Sequence, residues 1–427
     1  MSAIPEPDAR RGSSVVIERL GSKGDGQVRI DGEWVSVPRA LPGEEVQIAL
    51  EDGRARLIRV VTPSPDRVAP PCPHFGQGPG TCGGCSLQHL AEAPYRAFKR
   101  SLVVNALKSR GLEPAVEETW ITPPGSRRRI TLAARRTKTG VQLGFHSRRS
   151  HDIVDIQACF VASPEIVRKL SALKELAAPL APLKGEMDIL VTAAPNGLDL
   201  HITGIATFAA PHDIMMAGAK ALAAGFVRVS IGDDVPLAQA MPEYQVGRAF
   251  LRPASGGFLQ ASAEAEAFMA SLVRQHLKFA LEVADLFSGC GTFALRLAEE
   301  ARVHAAEGSP EAIEALEASA RAAPGLKPVT AEVRDLFRNP VPAAALSRFQ
   351  GVVLNPPRAG AAKQVAEIAR SGVRRVAYVS CDPGTLARDL RVLVDAGYRI
   401  VLVQPVDQFL WSTHVETVAL LERGNLG

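Results

Sequence analysis

The sequence predicts an α/β protein: an open, mostly parallel sheet in the C-terminal part, preceded by a small N-terminal β-barrel and a β-rich central domain. Three observations point there. Strand-like apolar runs alternate with helical patterns from about residue 264, five short alternating runs separated by tight-turn dipeptides fill residues 13–62, and 427 residues suffice for about three domains. Hydrophobic residues make up 46% of the chain and charged ones 22%, at a mean hydropathy of +0.05, the balance of a globular rather than a disordered protein. Apolar runs such as Ile400 to Val403 fall far short of the roughly 20 residues of a membrane span. The opening Met-Ser-Ala-Ile-Pro-Glu-Pro-Asp has neither the basic start nor the apolar core of a targeting segment. A cytoplasmic monomer without a membrane partner is the expectation.

Taken in order, residues 1–12 are polar and read as a frayed tail. In 13–62 the runs Val15-Val16-Ile17, Gln27 to Ile30, Trp34 to Val37, Glu45 to Ile48 and Ala55 to Ile58 are separated by Gly24-Asp25-Gly26, Asp31-Gly32 and Pro42-Gly43. A barrel of this size and turn spacing suits an oligonucleotide-binding module. Charge agrees. Residues 1–150 carry 23 Lys+Arg against 15 Asp+Glu, a balance of +8, whereas the remainder carries 26 against 30, a balance of −4. Arg127-Arg128-Arg129, Arg135-Arg136 and Arg148-Arg149 are candidate phosphate contacts, and Phe75 and Phe258 could stack on an extruded base or simply pack.

Residues 63–258 form the expected central domain. After Pro63, Pro65, Pro70 and Pro71 comes a cysteine-bearing loop, then a helix beginning at Pro94 and stopping at Gly111, then strands that include a hairpin turning at Asn196-Gly197. Of six cysteines, Cys72, Cys82 and Cys85 share the glycine-rich loop. Clustered thiols in a chain without a secretion signal suggest metal before disulfide. Zinc would accept three of them with His74 or His89; an iron–sulfur cubane, with Cys159 as a distant fourth ligand, fits the irregular spacing better.

From 259 to the end, strands are expected at Val283 to Phe287, Val303 to Ala306, Gly351 to Leu354, Arg375 to Val379 and Ile400 to Val403. The stretch Asp285-Leu-Phe-Ser-Gly289-Cys-Gly291-Thr-Phe-Ala294 ends a strand and opens a helix, with amides facing a ligand, and Glu307 closes the next strand where a carboxylate can accept from ribose hydroxyls. Alone, this also fits a nicotinamide dinucleotide fingerprint. Asp285 before the glycines, Asn355-Pro-Pro-Arg358 after one later strand and Ser380-Cys381-Asp-Pro383 after another favour S-adenosylmethionine, with the two proline loops lining a substrate pocket.

With those motifs assembled, the chain resembles the iron–sulfur-containing uracil-5 RNA methyltransferases that modify ribosomal RNA, related to the transfer-RNA uracil-5 enzymes. The likeness runs over most of the length: a TRAM-like barrel in Val15 to Val60, a cluster loop in Cys82-Gly-Gly-Cys85-Ser-Leu-Gln-His, a cofactor motif at Asp285, a nucleophile motif at Ser380-Cys381-Asp-Pro-Gly-Thr-Leu-Ala-Arg-Asp389, and His414-Val-Glu416-Thr. The resemblance implies a Rossmann-like methyltransferase domain, RNA as partner (ribosomal before transfer RNA), and a [4Fe-4S] cluster on Cys72, Cys82, Cys85 and Cys159 in a structural role. It also implies S-adenosylmethionine held by Gln260, Phe287, Glu307 and Asn355, with Asp335 at the end of a middle strand near the adenine. Two departures stand out: Asn355 replaces the family's usual Asp, and extra Gly-Gln-Gly-Pro residues lengthen the first cluster spacing.

C5 of uracil is too weak a nucleophile to attack a sulfonium methyl unaided. A thiolate added at C6 makes C5 enolate-like, and a base must later remove the C5 proton so that the thiolate can leave. Cys381 is the expected nucleophile, its pKa lowered by the following helix, and Glu416 the expected base; Cys290 reads as a small buried residue. Competing readings are an amino-group methyltransferase using Asn355-Pro-Pro, an RNA-binding or redox-sensing protein on an inactive fold, and a nicotinamide oxidoreductase.

Overall fold

The computed structural model describes residues 13–51, 54–207, 209–232 and 236–424; the tail expected at 1–12 lies outside the described residues. The chain divides into two compact units. One runs to Phe98 and includes His146–Asp152 and Trp411–Thr413; the other holds Lys99–Phe145, Ile153–Leu410 and the chain from His414.

In the first unit, two three-stranded antiparallel sheets, Ser13–Val16 with Glu45–Glu51 and Arg54–Thr62, and Arg19–Leu20 with Gly26–Ile30 and Glu33–Val37, enclose Ile17, Val28, Val37, Val46 and Ile48. Each expected run falls on a strand, except that the first stops at Val16, one residue short of Ile17. Asp31 and Gly32 both take positive φ (49° and 84°), the conformation a two-residue turn needs between paired Ile30 and Glu33.

Besides a two-stranded ribbon, Tyr244–Val246 with Ala249–Leu251, the second unit holds two large sheets. One orders Ile153–Asp155, Gly140–His146, Arg129–Thr137, Met187–Ala194, Gly197–Thr203, Phe226–Ile231 and Leu237–Ala238, antiparallel except where helix Pro211–Ala223 carries the chain between two parallel neighbours. Ala194 pairs with Gly197, so the hairpin turns at Pro195-Asn196, one residue earlier than expected. The cause is local: proline presets the φ of the first turn position, and the Asn196 amide grips Met241 O (2.8 Å) and Glu243 N (3.1 Å). Helix Glu92–Lys108 likewise starts two residues before Pro94, which sits in the first turn where no N–H is required.

The other sheet orders Val329–Val333, Arg302–Glu307, Glu282–Leu286, Gly351–Leu354, Arg375–Ser380, Glu416–Arg423, Tyr398–Asp407 and Trp120–Ile121. Its first five strands are parallel. Alternate residues bury opposite faces: Val283, Val303 and Val353 pack with helices Ala263–His276 and Pro310–Ala322, while Ala284, Val352 and Tyr378 pack with Val103, Val365 and Leu386 of three other helices. The last strands supply the antiparallel minority of the expected mostly parallel sheet. Tyr398–Asp407 is antiparallel to its neighbour, and Glu416–Arg423, read in sequence only as residues after a last strand, is itself a strand inserted between two earlier ones. Two elements of segment 63–258, the helix Glu92–Lys108 and the strand Trp120–Ile121, join this sheet and its core. Among the described residues no helix is long and apolar enough to cross a membrane.

Lys99 reaches from that helix to the loop before the last strand. It is wholly buried against equally buried Asp407 (2.8 Å) and also donates to the carbonyls of Phe409 and His414. Lys99→Met leaves the buried Asp407 charge without its counter-charge and should cost about 3–5 kcal/mol in urea unfolding, whereas the double replacement Lys99→Met with Asp407→Leu should recover most of that loss.

Candidate active site

The carboxyl edge of this sheet frames a cavity of about 810 Å³, in the range that encloses cofactor-sized ligands. It lies where strand order reverses, between Glu282–Leu286 and Gly351–Leu354, the usual crevice of an open α/β sheet. Gln260, Phe287, Glu307, Asp335, Asn355, Cys381 and Glu416 all line it. Asp285 does not. The pleat turns it into the sheet face, where burial pushes its pKa up to about 8 against the pull of the Ala294 amide.

The glycine motif is a turn up to Phe293, and regular helix covers only Ala294–Leu297. The amides expected to face a ligand are partly committed elsewhere. Gly289 N–H donates to Glu307 Oε2 (3.0 Å), while Gly308 and Ser309 donate to Oε1 (2.7 and 3.0 Å), so the carboxylate is locked at the cavity wall with lone pairs left for ribose hydroxyls. Gly291, at φ +97°, is required by packing: a Cβ there would sit 2.3 Å from Leu316 Cδ1.

Phe287 (φ 61°) and Phe337 pair their rings at 5.3 Å and 56°, and Asp335 accepts from the amides of Phe337 (3.0 Å) and Arg338 (3.2 Å). Asp335 follows an edge strand, Val329–Val333, and not a middle one, because the sheet grows outward from its first strand in that direction. Phe337 carries no periodic or motif signal in the sequence.

Opposite this wall, Ser380 pairs with Thr417, so the next step along the same antiparallel register sets Cys381 against Glu416. Glu416 is buried, which pushes its pKa up to about 7 against the pull of a Gln408 hydrogen bond (2.9 Å) and of Arg358. The Cys381 thiol is raised, first by burial and then by the Glu416 charge, with Arg358 opposing. This corrects the expectation of a lowered pKa. Asp382 caps helix Pro383–Asp395 by accepting from Thr385 N (2.9 Å), so a carboxylate already occupies the positive helix end. Arg358 also lies 3.0 Å from Nδ1 of His414, whose pKa is lowered by burial and by that guanidinium, leaving a neutral ring able to accept.

The rim is aromatic and basic. Phe258, 65% exposed, and Phe409 line the cavity, with Arg129 5.8 Å from the first ring and Arg127 5.6 Å from the second. Phe75 instead packs between Arg39 and His89. The arginine clusters split in the same way. Arg128 is internal, bonded to Gln260 O (3.0 Å) and Glu266 (2.5 Å); Arg136 binds Ala178 O (2.7 Å); Arg148 is bidentate to Asp25 (2.7 and 2.8 Å). For these three, structural bonds replace the expected phosphate contacts; Arg127 and Arg129 also donate internally, to Arg129 O (3.1 Å) and Gly256 O (3.0 Å), but line the cavity. Cys290 is buried as expected, its thiol pushed up to about 12.

Cys72, Cys82, Cys85 and Cys159 are half-buried thiols, the soft donors an iron–sulfur cluster takes. As placed, no three His, Cys, Asp or Glu side chains among the described residues gather closely enough to hold a metal ion.

Comparison with known proteins adds three findings. Residues 246–424 match the family described as tRNA (Uracil-5-)-methyltransferase, and residues 13–57 match the TRAM domain. A Rhizobium meliloti protein named as an RNA methyltransferase is 48% identical over 412 residues, covering 96% of this chain and 99% of its own. A Chromohalobacter salexigens protein named 23S rRNA (uracil(1939)-C(5))-methyltransferase is 33% identical over 436 residues, covering 95% and 88%. The Pyrococcus abyssi tRNA (uracil-54, C5)-methyltransferase, solved with S-adenosyl-L-homocysteine, shares the fold at a TM-score of 0.75 over 96% of this chain and 99% of that one, with 23% identity.

Because burial and then the Glu416 charge hold the Cys381 thiol up, alkylation of Cys381 by iodoacetamide, followed by mass spectrometry of its peptide, should be slow at neutral pH and faster in Glu416→Gln.

Proposed function

The chain belongs to the RNA uracil-5-methyltransferase family, and from that premise we propose that it methylates C5 of a uridine in ribosomal RNA. The observation that carries the reading is that one cavity holds the Glu307 loop, the Cys381 thiol and the buried Glu416. An amino-group methyltransferase has no use for that last pair. Ribosomal RNA is favoured over transfer RNA by the relative named for 23S rRNA, which resembles this chain along almost its whole length.

S-adenosylmethionine, when bound, supplies the methyl group. Its adenine would lie by Phe287, Phe337 and Asp335, its ribose hydroxyls at Glu307, and its amino-acid end by Gln260 and Asn355. An extruded uracil would meet Phe258 and Phe409, which line the same cavity, with Arg127 and Arg129 beside those rings to meet the phosphates. Cys381, as thiolate, adds to C6, and the ring's electron pair makes C5 nucleophilic. Once C5 carries the methyl, Glu416 takes the C5 proton, the C5–C6 double bond re-forms, and the thiolate departs unchanged. A carboxylate pushed up to about 7 suits the task, since it is ionised just above neutrality yet basic enough to accept a proton from carbon.

Cys72, Cys82, Cys85 and Cys159 complete the proposal as ligands of a structural [4Fe-4S] cluster, supported by donor chemistry and by the glycine-rich loop that carries three of them. None of the steps above passes through it. Anaerobically purified protein should contain about four irons per chain with matching acid-labile sulfide, and Cys85→Ala should lose them. Stoichiometric zinc with no iron would overturn this assignment.

Mass spectrometry of ribosomal and transfer RNA from a deletion strain should show a missing 5-methyluridine in 23S rRNA, restored by the wild-type gene and not by Cys381→Ala. Loss from transfer RNA alone would reverse the substrate assignment. Glu416→Gln should slow turnover by roughly 10²–10⁴-fold and accumulate a covalent RNA–protein adduct on denaturing gels, because the trapped C5 proton blocks release of the sulfur.

A further inference from the structure

Between the residue expected to meet the cofactor and the residue expected to remove the proton lies a side chain with no sequence motif. Gln408 is 2% exposed, and both ends of its side-chain amide are hydrogen-bonded. Its Oε1 accepts from the Ala261 amide at 3.0 Å, which fixes the flip of the group. Its Nε2 must then donate, and the two acceptors within reach are Gln260 Oε1 at 2.8 Å and Glu416 Oε2 at 2.9 Å. One amide therefore decides the orientation of two others. With its oxygen turned to Gln408, Gln260 has its own NH₂ as the group left to donate, suited to an anionic or carbonyl acceptor such as the carboxylate of an amino acid. With Oε2 engaged, Glu416 keeps Oε1 as its proton-accepting atom.

We propose that Gln408 is a positioning residue that sets the donor face of Gln260 towards the cofactor and holds the Glu416 carboxylate in its proton-accepting form. The inference rests on the methyltransferase reading. The groups that face Glu416 in this arrangement are Arg358 from the Asn-Pro-Pro-Arg loop, Cys381 from the adjoining strand end, and neutral Gln408; Asp407, the next charge along the chain, is neutralised by Lys99. Two of these, Arg358 and the Gln408 hydrogen bond, favour the carboxylate. Removing the bond must move ionisation of Glu416 to higher pH.

The test uses Gln408→Glu, which is isosteric, keeps an acceptor for Ala261 and removes the donating NH₂. Gln408→Leu provides a second variant lacking the charge. Calorimetric binding of S-adenosylhomocysteine to the full-length protein should weaken about tenfold in either variant, as it should in Gln260→Ala, and combining Gln408→Leu with Gln260→Ala should add little further loss. In methylation assays the ascending limb of the pH–rate profile should move upward in both variants, with the larger displacement in Gln408→Glu. Additive losses in the binding cycle, or an unmoved pH limb in a variant that binds and folds normally, would overturn the inference. The binding cycle needs no RNA turnover, so it decides the role of Gln408 even if the wild-type protein makes no 5-methyluridine, a result that would instead sink the functional reading.

Discussion

The chemistry of this protein depends on a hydrogen-bonded register. Strand Glu416–Arg423 runs antiparallel to Arg375–Ser380 with Ser380 opposite Thr417, and that pairing brings the sulfur of residue 381 to the carboxylate of residue 416. Side chains alternate across a strand, so a slip of one residue would send Glu416 to the opposite face and replace it with a neighbour. The strand is held on both sides, since Val406 pairs with Glu416 from the other neighbour. Being interior to the sheet, it has no free edge along which to slide.

Burial then does what the register alone cannot. A carboxylate and a thiol placed together out of water each resist ionisation, and each makes the other's ionisation harder. The resting pair therefore tends to keep its proton. Arg358 opposes this from the neighbouring loop, and a bound sulfonium would add a second positive charge to the same cavity. That added positive charge would favour the thiolate against the opposing charge of Glu416. The helix end that could have lowered the thiol on its own is occupied by Asp382.

Behind the cavity, the loop joining the last two strands of the sheet is tied down by buried polar groups. Lys99 binds Asp407 and two carbonyls of that loop, and Gln408 spans to Gln260. Such networks are costly to bury and specify one arrangement when every member is satisfied. Here that arrangement joins helix Glu92–Lys108 to the base-bearing strand, although more than 300 residues separate Lys99 from Asp407.

Much of this was legible in the order of residues. The parallel strands, the barrel runs and the glycine loop with Glu307 come from local signals: apolar periodicity, turn dipeptides and a contiguous motif; Cys381 and Glu416 are singled out through the family resemblance of their motifs, and the structure sets both on one cavity. Other features emerged only in three dimensions. The insertion of Glu416–Arg423 between two earlier strands, the edge position of Val329–Val333, the raised thiol, and the roles of Phe337, Lys99 and Gln408 depend on which distant segments meet. Periodicity reports how a segment presents its faces and a motif reports which atoms are at hand. Neither encodes strand order, the partner of a buried polar group, or the water excluded around it, and those set both the alignment of the reacting pair and its protonation.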